Sequence, residues 1–283
     1  MKGLIFSIEE FALFDGPGIR VNVFFKGCPL RCAWCHNPEG LSAKKQILRS
    51  PNGCLGCGKC KEVCPSPNDC ELCKKCVVSC PRGLLRVGGE EWDAEALAAR
   101  ILRLKPVLKN GGGVTFSGGE ILLQPDFLME MLDLTKELHR AVETSGYGRT
   151  EDFLRMLERV DLVYFDLKHM DSEAHRRYTG VGNEKILEHA KLLMDSGVPY
   201  VFRVPFIHPV NTDEKNLSAL ASFLKGAKKP PAVEFLLYNV MAGAKYPLAG
   251  MTYNQSFSQP NDEEIALAKE ILKDYPISFR KSN

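Results

Sequence analysis

Apolar and polar positions change rhythm many times along the chain. Residues 19–25, IRVNVFF, form a β-branched and aromatic run with the character of a strand. From residue 93 onward, short apolar runs alternate with segments of helical period. DAEALAARILRL (93–104) predicts a helix capped by Asp93, GVTFS (113–117) a strand, and 125–139 a helix with Pro125 at its start. AVETS (141–145) predicts a strand, 150–158 a helix with Thr150 as its cap, and DLVYFDLK (161–168) a strand. Residues 183–196 read as a helix closed by Gly197, YVFRVPFI (200–207) as a strand and 213–225 as a helix. AVEFLLY (232–238) is the next strand and 261–274 the last helix. Strand and helix repeated about six times predict a parallel α/β architecture. A partial or full βα barrel and a doubly wound sheet both satisfy this pattern. In each, chemistry belongs at the C-terminal ends of the strands.

Residues 50–88 break the rhythm. They hold eight cysteines with Pro, Gly and Asn but few large apolar residues, so they cannot build a hydrophobic core. Bound metal clusters can hold such a segment together. The predicted division is therefore a main α/β unit of residues 1–49 and 89–283 with residues 50–88 inserted. The bulk composition changes little in this picture: 283 residues, 45% hydrophobic and 25% charged, describe a folded chain. A formal charge of +2 argues for neither nucleic acid nor a membrane surface as partner. No apolar run is long enough to span a bilayer. The N-terminus lacks the apolar core of a signal peptide, so a cytoplasmic location is expected.

All eleven cysteines lie between Cys28 and Cys80. In a cytosolic chain that clustering favours metal or redox chemistry over disulfides. CLGCGKCKEVCP supplies Cys54, Cys57, Cys60 and Cys64, and CELCKKCVVSCP supplies Cys70, Cys73, Cys76 and Cys80. Each has the C-x2-C-x2-C-x3-C-P spacing of the bacterial ferredoxin run, so two [4Fe–4S] clusters are expected. In such pairs the fourth cysteine serves the other cluster. This assigns Cys54, Cys57, Cys60 and Cys80 to one, and Cys64, Cys70, Cys73 and Cys76 to the other. Paired zinc sites are the alternative, although zinc usually takes two C-x2-C pairs separated by a longer loop.

Three cysteines remain, Cys28, Cys32 and Cys35, in GCPLRCAWCHNPE. No cysteine is left to complete the set. Three thiolates on a four-iron cubane leave one iron without a protein ligand, much as a catalytic zinc keeps a position open for its reactant. A three-cysteine zinc site completed by His36 is the alternative. C-x3-C-x2-C with Trp34 before its third cysteine resembles the motif of the radical S-adenosylmethionine superfamily. FDGPGIR (14–20) followed by FFKGCPLRCAWCHNPE (24–39) resembles more narrowly the signature of glycyl radical enzyme activating enzymes. The resemblance extends along essentially the whole chain, including the two-cluster insertion that a subset of these activases carries.

That resemblance implies that the open iron of the trio's cluster binds the amino and carboxylate groups of S-adenosylmethionine. An electron from the cluster then cleaves the sulfonium and yields a 5′-deoxyadenosyl radical. It implies that Gly118, Gly119 and Glu120 of TFSGGE bind the cofactor's amino group, with Ile121 where a proline is usual. A tight strand-to-helix turn is the alternative for that segment. On a strand, Tyr164, Asp166 and Lys168 share one face, opposite Val163, Phe165 and Leu167. The resemblance makes Asp166 and Lys168 cofactor residues; a structural ion pair is the alternative. Arg203 stands between Phe202 and Val204, either forking onto the cofactor carboxylate or in an ion pair of the barrel interior. Trp34 is also expected against the cofactor. Asn239 occupies the place of a histidine in the related segment and would act as a neutral amide. Glu143, Thr144, the Tyr164 carbonyl and Asp166 match a monovalent cation site for Na+ or K+, with Glu143 where aspartate is expected. His169 and His208 are expected at loop edges, without catalytic roles.

The expected fold is thus a partial (βα)6 barrel of TIM type with a ferredoxin-like insertion. The expected function is that of an oxidoreductase carrying three [4Fe–4S] clusters. It takes a hydrogen atom from a backbone glycine of a partner glycyl radical enzyme, giving methionine and 5′-deoxyadenosine. Reduced flavodoxin or ferredoxin is the expected electron donor, and the chain is expected to be a monomer. The alternatives are a radical enzyme that modifies a peptide or small molecule, and a non-enzymatic iron–sulfur electron carrier.

Overall fold

The computed structural model describes residues 1–50, 52–66 and 69–281; residues 51, 67–68 and 282–283 of the predicted units lie outside it. The strands are β1 Lys2–Ala12, β2 Arg20–Phe25, β3 Gln46–Arg49, β4 Leu85–Gly88, β5 Glu90–Asp93, β6 Gly113–Gly118, β7 His139–Thr144, β8 Leu162–Asp166, β9 Tyr200–Phe206, β10 Ala232–Leu237 and β11 Ile277–Lys281. The helices are α1 Lys59–Glu62, α2 Lys75–Ser79, α3 Ala94–Leu102, α4 Lys105–Leu108, α5 Pro125–Leu134, α6 Thr150–Leu157, α7 Ser172–Thr179, α8 Glu184–Ser196, α9 Glu214–Leu224 and α10 Asp262–Ile271. Among the described residues one nine-stranded sheet runs β11-β10-β9-β8-β7-β6-β2-β1-β5, and β3 pairs with β4 in a separate hairpin. Within the nine-stranded sheet the pairings β2-β6-β7-β8-β9-β10-β11 are all parallel, and β1 adds antiparallel pairings to β2 and β5.

Alternation along the parallel strands sorts their side chains onto two faces. Val21, Val23, Phe25, Val114, Phe116, Val142, Val163, Phe165, Phe202 and Phe235 form one buried face and join a core with the helices. Each fully buried phenylalanine there contributes roughly 1.5–3 kcal/mol. The other face carries Asn22, Thr115, Ser117, Glu143, Asp166, Arg203 and Glu234. The sheet is strongly curled. Arg203 on β9 reaches Asp15, in the loop before β2, at 3.4 Å, and Arg280 on β11 donates to the Phe14 carbonyl at 2.7 Å. A flat sheet would separate β9 from β2 by about 19 Å at the usual strand spacing.

Asp93 caps α3 as expected, accepting from Glu95 N and Ala96 N, and Gly197 ends α8 in the left-handed conformation. Other boundaries differ from expectation. The helix at 125 stops at Leu134, where Thr135 Oγ1 returns to the Met131 carbonyl, and the following strand starts at His139. Thr150 does not cap α6: it is the first helical residue, and its hydroxyl meets His189 Nε2 at 3.0 Å and Lys185 Nζ at 3.1 Å. β8 ends at Asp166, so Lys168 follows the strand rather than belonging to it. His208 is exposed, whereas His169 is buried and accepts from the Asp171 amide. Neither α1 nor α2 contains a buried residue, in keeping with a segment that has no apolar core.

Candidate active site

The C-terminal ends of the parallel strands converge on a cavity of about 870 Å³. Every residue named from the sequence for the trio and for cofactor contact lines it: Cys28, Cys32, Trp34, Cys35, Gly118, Gly119, Glu120, Asp166, Lys168, Arg203 and Asn239. Of the cation-site residues, Glu143, Thr144 and Asp166 line it too, while the Tyr164 ring lies under the Arg203 guanidinium at 3.8 Å.

The trio loop leaves the end of β2 and is held from several sides. Gly27 N donates to Gly40 O at 2.7 Å, and Cys28 N to Leu41 O at 3.2 Å. Arg31 N donates to Thr179 O at 2.7 Å and Ala33 N to Tyr178 O at 2.8 Å, which fastens the loop to the end of α7. Trp34 is buried against Tyr178 and Phe257. Lys245 covers the loop from the other side, 2.9 Å from Asn37 Oδ1 and 3.2 Å from Glu39 Oε1. Burial pushes the Cys28 and Cys35 thiols up to about 12. As free groups they would be thiols at neutral pH, poor nucleophiles; a metal deprotonates them outright.

Beside the trio, Gly119 N donates to Phe25 O at 2.8 Å and Glu120 N to Gly27 O at 2.9 Å. A methyl group on Gly118 would meet the Phe25 backbone at 2.6 Å, and one on Gly119 the Gly27 carbonyl at 2.1 Å. The two glycines thus let the end of β6 lie against the cysteine loop. The Glu120 carboxylate accepts from Thr144 Oγ1 at 2.5 Å, Ser145 N at 2.9 Å and Ser145 Oγ at 2.5 Å. Burial raises its pKa, and those donors work against the rise.

Lys168 Nζ lies 2.8 Å from Asp166 Oδ2. Burial favours neutral lysine, but Asp166 and then Cys32 outweigh it, so Lys168 keeps its proton. Arg203, only 2% exposed, meets Glu143 at 2.7 Å, Glu234 at 2.7 Å and Asp15 at 3.4 Å. The ion-pair alternative describes its geometry in this structure. Burial works to raise the Glu143 carboxyl, yet Arg203 and the Ser117 hydroxyl hold it below the usual range. Burial and the Glu143 charge raise Asp15 instead. Asn239 Oδ1 accepts from Met241 N at 2.9 Å, leaving its amide NH2 available.

Several contributors escaped the sequence reading: Asp15, Asn22, Ser117, Ser145, Glu234 and Lys245. Asn22 and Glu234 carried a signal, since each interrupts an apolar strand; Lys245 carried none. Two acceptors lining the cavity, Asn22 Oδ1 and Glu39 Oε2, are buried without a partner. Such atoms fit a ligand that brings hydrogen-bond donors. The volume lies within the range of small-molecule sites.

The insertion brings its cysteines together across its two runs. Cys54, Cys57, Cys60 and Cys80 surround one cavity of about 220 Å³, and Cys64, Cys70, Cys73 and Cys76 a second of about 20 Å³. Among the described residues no group of three or more His, Cys, Asp or Glu is set around a single metal ion.

The model of the radical SAM superfamily matches residues 22–221, and this chain belongs to that superfamily. Within it, the chain is similar to several activating enzymes. The choline trimethylamine-lyase activating enzyme of Oleidesulfovibrio alaskensis is 36% identical over 304 residues, covering 98% of this chain and 97% of that protein. The trans-4-hydroxy-L-proline dehydratase activating enzyme of Clostridioides difficile is 35% identical over 293 residues, covering 96% and 97%. A crystal structure of a domain of pyruvate-formate lyase-activating enzyme from Bacteroides vulgatus is similar with a TM-score of 0.51 and 33% identity, covering 61% of this chain and all of that one. Membership implies a [4Fe–4S] cluster and S-adenosylmethionine. No helix among the described residues is long and apolar enough to cross a membrane.

Proposed function

We propose that this chain activates a glycyl radical enzyme. It uses S-adenosylmethionine and one electron to remove a hydrogen atom from a backbone glycine of its partner, releasing methionine and 5′-deoxyadenosine. One observation carries the reading: the cysteine trio and the Gly118-Gly119-Glu120 turn share one cavity, in a chain related along its length to activating enzymes. When bound through Cys28, Cys32 and Cys35, the cluster supplies the electron and an open iron. The protein's own part is to bind and orient. Gly118, Gly119 and Glu120 take the cofactor's amino end, Asp166, Lys168 and Asn239 add polar contacts, and Trp34 closes one wall. Arg203 serves the cofactor from its ion-pair network, with Glu143, Thr144, the Tyr164 carbonyl and Asp166 as a monovalent cation site.

The fold is best described as a partial (βα)6 barrel on residues 1–49 and 89–283, a reading supported by the curl of the sheet. Residues 50–88 form a ferredoxin-like insertion with two further [4Fe–4S] clusters. The four-cysteine cavities, each drawing on both runs, support that assignment. Reduced flavodoxin or ferredoxin is the donor, the chain is a cytoplasmic monomer, and the count is three clusters. The related activases serve different partners at similar identity, so no single glycyl radical enzyme is favoured.

Anaerobic incubation with candidate glycyl radical enzymes, read by electron paramagnetic resonance, tests the proposal. A glycine-centred radical is expected in one of them. Robust cofactor cleavage with no such radical in any candidate would move the reading to another radical enzyme, and absence of 5′-deoxyadenosine would move it to an electron carrier. Three four-iron clusters predict about 12 irons per chain, and Cys32→Ala about eight with cleavage abolished.

A further inference from the structure

Charge is distributed very unevenly along this chain. Residues 44–86 contain nine Lys and Arg against three Asp and Glu, while the whole chain has 37 against 35. The ionised Lys, Arg, Asp and Glu of the segment therefore carry +6, and those of the remainder, 28 basic against 32 acidic residues, −4; two oxidised clusters with their thiolates, about −2 each, would still leave the segment at about +2. Elsewhere half of the Lys and Arg residues, 14 of 28, pair with carboxylates among the described residues. In this segment Lys45 pairs with Glu91, and the other eight cations are exposed and have no ion pair among the described residues. Lys59, Lys61, Lys74, Lys75, Arg82 and Arg86 thus present a net positive surface, without ion pairs, beside the two cysteine cavities, against Glu62, Asp69 and Glu71. Large apolar side chains stand among them, Leu55 at 62% exposure and Val78 at 85%. Apolar contacts within a charged rim are the usual anatomy of a transient protein interface. Cys54, Cys57, Cys70 and Cys73 are exposed as well, which brings the cluster positions to this same surface.

We propose that the insertion is the docking surface for a small acidic electron-transfer protein, which hands its electron to an insertion cluster. This rests on the two-cluster reading above. The step balances as a one-electron transfer: the donor is oxidised by one electron and one insertion cluster is reduced by one. Opposite charges steer the encounter, and the exposed apolar residues supply the contact once the charges have met.

The test measures the anaerobic rate of cluster bleaching, in fully iron-loaded protein, with two reductants: a purified acidic flavodoxin in its reduced form, and a photoreduced deazaflavin. The variant Lys59→Glu/Lys75→Glu/Arg86→Glu removes six units of positive charge, taking the segment's side chains from +6 to zero and the cluster-loaded segment to negative, and avoids every residue lining a cysteine cavity. With flavodoxin the wild-type rate should fall steeply with added salt, and the variant should be slower by about tenfold or more at low salt. With deazaflavin the two proteins should match. Equal flavodoxin rates in the two proteins, or a wild-type rate indifferent to salt, overturn the proposal. Salt-sensitive binding of a random-sequence oligonucleotide, lost in the variant while flavodoxin rates stay equal, reassigns the surface to nucleic acid. If the triple variant does not load iron, the Lys59→Gln/Lys75→Gln pair at full iron content is read in the same way. Because the readout is cluster reduction, a chain that forms no glycyl radical with any partner can still pass this test, so the two proposals fail separately.

Discussion

At the scale of single residues, the site is set by very close approaches. Gly119 has no room for a methyl group because the Gly27 carbonyl occupies that space. Gly119→Ala must therefore push the end of β6 and the cysteine loop apart. A displacement of about 1 Å can cost about 100-fold in rate. Cofactor cleavage should fall by that order while circular dichroism stays that of the folded chain; cleavage at wild-type rate would mean the approach is dispensable. Arg49 offers a different lever. Its Nη2 donates to Cys60 Sγ at 3.3 Å, and Arg82 and Lys61 line the same cavity, whereas the second cavity is lined by Lys74 and Glu71 together. Positive charge and hydrogen bonds to sulfur favour the reduced cluster. On the proposed three-cluster reading, Arg49→Gln should lower one midpoint potential in electron paramagnetic resonance potentiometry and leave the other two in place.

At the scale of elements, the legible parts were those with a clean period. The parallel strands β2 and β6–β10 and the helices α3, α5, α6, α8 and α9 announced themselves because each buries one regular face. β1 did not, since bulges at Ile5/Ser7 and Glu10/Ala12 shift its alternation out of phase. α7, SEAHRRYT, is polar on nearly every side and buries only His175 and Thr179. β11 is a short, half-polar edge. The cysteine runs stand out because their spacing alone marks them, while Asp15 and Lys245 act across 188 and 206 residues of chain, a relation that no local pattern encodes. α7 matters because its last residues hold the cysteine loop. Burial keeps the His175 imidazole down at about 4. An unfolded chain takes up that proton near pH 6.5, so between these values the unfolded state binds more protons. Stability from this site is complete above about pH 6.5 and is lost as pH falls toward 4. At pH 5 the loss is about 2 kcal/mol. His175→Gln should therefore narrow its stability deficit against wild type between pH 7.5 and pH 5 in paired thermal melts, and a deficit that does not change with pH would exclude the titration.

At the scale of the whole molecule, Arg203 ties β9 to β10, to β7 and to the loop before β2. It holds the curl that makes a cavity out of a sheet. Removing it leaves Glu143 and Glu234 without their main partner in the interior. Losing one member of a buried pair costs about 3–5 kcal/mol. Arg203→Met should lower the urea midpoint accordingly, and a variant of unchanged stability would show that the curl is held by the helices alone.

The hairpin of β3 and β4 leads into the cysteine segment and out again, with Arg49 paired to Leu85 at its base. Entry and exit are thus adjacent, and α1 and α2 add no buried side chain to the rest of the molecule. For protein engineering, this makes the segment a cassette. Joining Arg49 to Leu85 through an Asn-Gly turn, a sequence suited to two-residue hairpins, should yield a shorter chain that still folds, binds four irons and cleaves its cofactor with a chemical reductant. The same junction should accept another redox module in its place.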